Sequence, residues 1–176
     1  LQEDLRTLLA EQRDDLVYLD ERIKTEDKAI ETLANAHPSA RRLQQLRGVG
    51  PVVATALIAA LGDGRQFRNG RQASAWAGLV PGQHSSGGKQ TFLGISKRGD
   101  TNLRTLLIHG ARAALRAART KTDPLSLWLQ GLCARRNPNV AAVALANKTM
   151  RLAWVLLRRE EDYDPLHGHA RPPQPT

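Results

Sequence analysis

The first 33 residues repeat apolar side chains at heptad spacing, and such a segment folds stably only as part of a helical assembly. Heptad position a is occupied by Gln2, Leu9, Leu16, Ile23 and Ile30, and position d by Leu5, Gln12, Leu19, Glu26 and Leu33. Seven of these ten residues are apolar and charged residues flank them, which is the pattern of a coiled coil. One helix cannot bury such a seam, so we expect self-association, with a returning helix outside this chain as the alternative.

The composition of the whole chain predicts an all-α fold. Aromatic residues make up only 4% of the 176 residues, so Leu, Ala, Val and Ile must form the core. No Asn-Gly or Asp-Gly pair is flanked by the alternating apolar residues of a hairpin. We predict a coiled-coil dimerisation helix over residues 1–38, a compact helical domain over residues 39–165 and a disordered tail over residues 166–176.

Charge is distributed unevenly along the chain, which carries a formal net charge of +9. Residues 1–33 contain ten acidic and five basic side chains, whereas residues 64–159 contain seventeen basic and two acidic ones. The basic part favours a polyanion such as DNA as its partner, and the acidic helix favours a protein. A basic surface that only keeps the protein soluble is the alternative interpretation.

Other sequence features indicate the compartment. No apolar run approaches the twenty residues of a membrane span, and no signal segment opens the chain, so no membrane partner is expected. The single Cys133 fits a reducing compartment. We therefore expect a cytoplasmic protein.

Residues 80–100 lack helical periodicity and concentrate glycines, hydroxyls and cations, so we predict a loop that contacts phosphate. The candidate contacts in it are His84, Lys89, Lys97 and Arg98. If the loop performs chemistry, the candidate nucleophiles are its serines, because cations would stabilise charge on an attacked phosphodiester. These serines are Ser85, Ser86 and Ser96.

Two further features could bind a nucleic-acid backbone. Gly48-Val49-Gly50-Pro51 resembles the turn of a helix-hairpin-helix element, in which backbone N–H groups of Gly48 and Gly50 meet a phosphate. The alternative is a plain helical hairpin with glycines at a tight corner. A predicted helix after Asp100 places four arginines along one outer stripe, namely Arg104, Arg112, Arg116 and Arg119. A solvated charged face explains them equally well.

Several strings together resemble the C-terminal domain of bacterial IS110-family insertion-sequence transposases. They are Gly48-Val49-Gly50-Pro51, Ala77-Gly78-Leu79-Val80-Pro81, Ser86-Gly87-Gly88-Lys89, Gly94-Ile95-Ser96-Lys97-Arg98-Gly99-Asp100, Leu103-Arg104 and Asn147-Lys148 with Arg151-Leu152-Ala153-Trp154. The resemblance extends from about Leu43 to Pro165, with the coiled coil before it. Two strings are specific, namely Gly78-Leu79-Val80-Pro81 with Ser86-Gly87, and Gly94-Ile95-Ser96-Lys97-Arg98-Gly99.

The resemblance implies a recombinase that is guided by a bridge RNA. Family members carry an N-terminal nuclease-like domain with four acidic metal ligands, then a coiled coil, then this domain, whose Ser-Gly string holds a serine that forms a phosphoserine link to DNA. At the matching position stands Ser86, with Ser85 as the fallback because the serine is doubled.

This chain lacks the acidic domain of the family, so it resembles a fragment. We expect Mg²⁺ to bind in the missing N-terminal domain, and no metal or other cofactor in the fragment. The fragment alone should be inactive in strand exchange. It should still bind DNA and a guide RNA, and form a homo-oligomer, either dimer or tetramer.

Two other functions remain open from the residues alone. The first is a non-catalytic DNA-binding and dimerisation module whose working part is the helix-hairpin-helix element. The second is a coiled-coil interaction protein with an incidental basic surface, whose binding would not respond to salt.

Overall fold

The computed structural model describes residues 2–86 and 89–165, with only the backbone for residues 83–86 and 89–93. The predicted tail over residues 166–176 lies outside the described residues. The described elements are, in chain order, α1 (Gln2–Ala36), α2 (Pro38–Gln44), α3 (Pro51–Leu61), α4 (Gly70–Trp76), β1 (Pro81–Ser86), β2 (Lys89–Ile95), α5 (Thr101–Ala118), α6 (Pro124–Arg135) and α7 (Pro138–Arg159).

Local sequence signals explain where these helices begin and end. Asp100 caps α5 by accepting a hydrogen bond from the Leu103 N–H at 2.9 Å, and Asn69 caps α4 through the Gln72 N–H. Pro51 occupies the first turn of α3, where a missing N–H costs nothing. The described secondary structure consists of seven helices and one small two-stranded sheet, so the all-α prediction is confirmed.

The prediction of a loop over residues 80–100 is wrong for most of that segment. Strands β1 and β2 form an antiparallel hairpin in which Gln83 pairs with Phe92 and Ser86 pairs with Lys89. Exactly two residues, Gly-Gly in the sequence, separate the paired ends. Gly-Gly is among the dipeptides that favour two-residue hairpin turns, so the signal was present although residues 80–100 contain no Asn-Gly or Asp-Gly pair.

Leucine and alanine side chains of α2 to α7 build the core. Leu57 of α3, Leu107 of α5 and Met150 of α7 are almost fully buried in it, and α5 packs along α7. Among the described helices, α7 alone is long and apolar enough by length and composition to cross a membrane. Half of that window is buried inside the domain, as in the core helix of a folded domain.

Helix α1 extends away from this core. It is 35 residues long, or roughly 50 Å at 1.5 Å per residue. Its only buried residue is Ala34, near the end that packs against α2 and α3. The predicted seam residues from Leu5 to Ile23 are exposed.

Candidate nucleic-acid interface

The base of the β-hairpin is fixed by backbone contacts between the chain that enters it and the chain that leaves it. The Ser96 N–H donates to the Val80 carbonyl at 2.8 Å, and the Lys97 N–H donates to the Gly78 carbonyl at 3.2 Å. Gly78 has a φ of +71°, and a Cβ at this position would overlap the Arg98 carbonyl oxygen. The strings around Gly78 and Gly94 therefore meet each other and form the base of the hairpin.

Arg104 stabilises this base through a buried side chain. The prediction that it belongs to an exposed stripe of α5 is therefore wrong. Its side chain is buried and donates from Nη1 to the Ala77 carbonyl at 3.2 Å and from Nη2 to Thr101 Oγ1 at 3.1 Å. Ala77 is the C-cap of α4, where a cation interacts favourably with the helix dipole. Arg104 thus joins the start of α5 to the end of α4.

The candidate nucleophiles lie at the opposite end of the hairpin. Ser85 pairs with Gln90 and Ser86 with Lys89, so Ser86 is the last residue of β1. His84 pairs with Thr91 one step further from the tip. The backbone thus brings His84, Ser85, Ser86 and Lys89 together, and their side chains lie outside the described atoms.

Lys97 and Arg98 do not join that group. Both are exposed and lie beyond the end of β2, at the base of the hairpin. Strand β2 spans seven residues, which at about 3.3 Å per residue separates its two ends by roughly 20 Å. Lys97 and Arg98, which the sequence placed in one loop with Ser86, therefore lie far from it within one molecule, and Lys89 is the cation whose backbone pairs with it.

Arg112 and Arg116 are exposed on α5, as predicted, and line a groove of about 660 Å³ between α5 and α6. Arg119 and Cys133 also line this groove. Arg112 Nη2 donates to Asn139 Oδ1 at 3.2 Å, which holds the guanidinium beside the start of α7. These arginines can meet a polyanion, and Arg104 cannot.

The glycine turn before α3 packs against another part of α5. Gly48 has a φ of +85°, and a Cβ there would lie 2.5 Å from the Gly110 carbonyl oxygen. Gly50 has an ordinary φ of −95° and open space around its Cα. At 100° per residue, Arg112 faces about 200° away from Gly110, so the turn and the arginines occupy opposite sides of α5. This geometry gives Gly48 a packing role.

Four side chains that sequence reasoning did not combine form a second basic cleft. Arg71 of α4, Trp128 of α6, and Lys148 and Arg151 of α7 line a volume of about 650 Å³. They come from three helices, so no local pattern could group them. The one available signal is Asn147-Lys148, which interrupts the apolar pattern of α7.

Among the described residues, one carboxyl group has a strongly shifted pKa, and its role is structural. Burial alone would raise the pKa of Asp123, but hydrogen bonds from Ser126 and Arg47 outweigh it and lower the pKa to about 2. Asp123 is the N-cap of α6, and Arg47 Nη2 donates to it at 3.0 Å. The pair fastens α6 to the segment after α2.

Within residues 2–86 and 89–165, no group of three or more His, Cys, Asp or Glu residues could hold a metal ion. The acidic side chains of α1 are spread along an exposed helix, and the domain after it has few carboxylates. The described residues thus do not fit a Mg²⁺ site.

Comparison with known proteins gives a consistent set of relatives. The sequence profile of the transposase IS116/IS110/IS902 family matches residues 40–124. A probable family 20 transposase of Pseudomonas aeruginosa is 54% identical over 158 residues, which is 90% of this chain and 47% of that protein.

Two further relatives carry insertion-sequence names. The transposase for insertion sequence element IS1111A of Coxiella burnetii is 50% identical over 85% of this chain and 41% of its own length. The transposase for insertion sequence element IS1328 of Yersinia enterocolitica is 41% identical over 79% of this chain and 42% of its own length. The chain spans somewhat less than half the length of these relatives.

Proposed function

Because the chain belongs to the IS116/IS110/IS902 transposase family, we propose that it is the part of a DNA transposase that carries the serine nucleophile for strand cleavage and exchange. The observation that carries this proposal is the position of Ser86. It is the last residue of β1, at the tip of a hairpin whose base is locked by backbone contacts and by Arg104.

A hairpin tip is a suitable place for such a nucleophile. DNA is a bulky substrate, so an attacking hydroxyl must project from the domain rather than lie inside a small pocket. A rigid base limits the positions that the tip can take, which reduces the entropy lost when the hydroxyl meets a phosphodiester. The strings around Gly78 and Gly94 thus position the serine, and the serine reacts.

The reaction that we propose exchanges one phosphodiester for another. The Ser86 hydroxyl oxygen forms a bond to phosphorus, and the bond between that phosphorus and one sugar oxygen breaks. The serine hydroxyl loses a proton, and the departing sugar oxygen takes one up. The product is a phosphoserine link. Attack by a sugar hydroxyl of another strand reverses these bonds and completes strand exchange.

The cations proposed to bind DNA divide between the two ends of the hairpin and the groove beside α5. Lys89 lies at the tip, Lys97 and Arg98 at the base, and Arg112 and Arg116 along α5. Contacts of this kind hold a phosphate backbone without reading its sequence. A guide RNA, which the family resemblance implies, would meet the same chemistry and would supply the sequence specificity.

Mg²⁺ is proposed to bind outside this chain. The described residues offer no cluster of ligands, whereas the relatives have more than half of their length outside the aligned part. No step above is routed through the ion. We also propose that strand exchange needs that other part, so the chain alone would bind nucleic acid without recombining it.

Self-association through α1 completes the proposal. Leu9, Leu16 and Ile23 at position a and Leu5 and Leu19 at position d are each at least half exposed. A second α1 would bury this seam and bring two hairpins into one complex, as an exchange between two DNA molecules requires.

The proposal is tested in a full-length transposase that contains this domain. Ser86→Ala should abolish strand exchange while leaving DNA affinity and oligomeric state unchanged. Ser85→Ala is the matched control, one residue away, and should retain exchange. Loss of exchange in Ser85→Ala alone would move the nucleophile by one residue, and normal exchange in both variants would refute a serine mechanism.

A further inference from the structure

The proposed function assigns no role to the basic cleft lined by Arg71, Trp128, Lys148 and Arg151, which we call the Trp128 cleft. It lies between α4, α6 and α7 and has a volume of about 650 Å³. Asn69 and Asn147 also line it, and none of its lining residues is acidic. Helix α7 lines the cleft with the face that bears Ala144, Lys148 and Arg151.

The cations of the cleft are not neutralised within the described part of the chain. Arg71, Lys148 and Arg151 are exposed, and no ion pair or side-chain hydrogen bond engages Arg71 or Arg151 there. By contrast, Arg47 is paired with Asp123, and Arg104 is bonded to Ala77. Three cations that converge on one cleft without a carboxylate create a local positive potential that attracts a polyanion.

Trp128 adds an aromatic surface to this potential. It is 38% exposed, and Lys148 Nζ lies 5.4 Å from its ring centroid. This cation–π contact holds the ammonium at the ring and leaves part of the indole open to solvent. Trp76, which is 40% exposed, packs instead against Phe67 and is not part of the cleft.

The cleft continues toward the hairpin. Ala144 and Asn147 line both the Trp128 cleft and a neighbouring apolar groove that Pro81 and Lys97 also line. Asn147 Nδ2 donates to the Leu79 carbonyl at 3.0 Å, two residues before β1 begins. A chain bound in the cleft could therefore pass along α7 to the hairpin base.

We propose that the Trp128 cleft binds a single-stranded segment of nucleic acid and leads it toward the hairpin. Its phosphates would contact Arg71, Lys148 and Arg151, and an unstacked base would lie on the open surface of Trp128. We propose a single strand and not a duplex because the bases of a duplex stack on each other, which leaves their faces unavailable to an aromatic side chain. This inference rests on the proposed function in that both require the domain to bind nucleic acid.

The test is fluorescence anisotropy of the 176-residue chain with a labelled DNA oligonucleotide, its RNA equivalent and the matching DNA duplex, over a range of salt. Trp128→Ala should weaken single-strand binding at least about fivefold, the lower range of base stacking on an aromatic side chain. Arg71→Ala and Arg151→Ala should each flatten the salt dependence by about 0.7 in log–log slope. The controls are Trp76→Ala and Arg159→Ala, which change a comparably exposed tryptophan and an α7 arginine outside the cleft.

Conservative variants separate recognition from folding. Trp128→Phe and Arg151→Lys should retain most of the affinity, and circular dichroism melting identifies any variant that is misfolded. If the wild-type chain binds one of the DNA and RNA oligonucleotides more tightly and Trp128→Ala removes that difference, the tighter ligand is the strand that the cleft binds. If the wild-type chain binds single strands and the cleft variants bind them equally well, the cleft inference fails alone. If the wild-type chain binds no nucleic acid, the proposed function fails with it.

Discussion

Single residues that resemble functional groups in the sequence turn out to hold the domain together. Arg104 was expected on an exposed stripe but is buried, and Gly48, a candidate phosphate contact, packs against Gly110. In both cases the deciding partner is distant in sequence: Ala77 lies 27 residues from Arg104, and Gly110 lies 62 residues from Gly48. Helical periodicity identifies the faces of one helix but not which face another element covers.

Arg104→Ala should destabilise the domain by about 2 kcal/mol, because the buried Ala77 carbonyl loses a charged donor. Arg104→Lys should restore only part of this loss, since one ammonium cannot reproduce the fork that contacts Ala77 and Thr101. Urea unfolding measures both. Arg112→Ala, on the exposed face of the same helix, is the control and should change stability by less than about 0.5 kcal/mol. Equal losses for the two alanine variants would contradict the buried role.

Gly48→Ala should cost at least about 1–2 kcal/mol, because it forces a side chain into a positive φ and against the Gly110 carbonyl. Gly50→Ala, two residues away, has an ordinary φ and open space, so stability should stay within about 0.5 kcal/mol of wild type. Thermal unfolding compares them. Loss of all DNA binding in a fully folded Gly48→Ala or Gly50→Ala protein would support the helix-hairpin-helix interpretation.

At the level of elements, the helices were predicted and the hairpin was missed. Asp100, Asn69 and Pro51 mark their helices through contacts a few residues away, so a sequence pattern is enough to identify them. The hairpin contains few of the alternating apolar residues that identify a strand, because its residues from His84 to Thr91 are mostly polar. Its Gly-Gly pair was the only strong signal.

The seam of α1 provides a test at this level. Leu16→Asp should convert the chain from an oligomer to a monomer of 19.3 kDa, because a charge at position a cannot be buried between helices. Val17→Asp is the matched control, since Val17 is also exposed and apolar but lies outside positions a and d. Light scattering after gel filtration gives the masses. A wild-type chain that is already monomeric would contradict self-association through α1.

At the scale of the whole molecule, the chain joins an exposed helix to a domain that carries a hairpin, the basic groove between α5 and α6, and the Trp128 cleft. The family, the helical fold and the exposure of Arg112 and Arg116 could be recognised from the sequence. The Trp128 cleft could not, because Arg71, Trp128 and Arg151 belong to three helices and meet only in the folded domain. The separation of Lys97 and Arg98 from Ser86 was missed for a different reason, because residues that are close in sequence lie at opposite ends of a strand.

The most direct test of the central claim is mass spectrometry of the protein–DNA link in a full-length transposase that contains this domain, trapped on a nicked DNA substrate. Trypsin releases residues 72–89 as one peptide, which contains Ser74, Ser85 and Ser86. Ser74 is fully buried, so fragment ions need only distinguish the two hairpin serines. We predict a nucleotide phosphate on Ser86. A link on another residue, or strand exchange without any covalent link, would contradict the account.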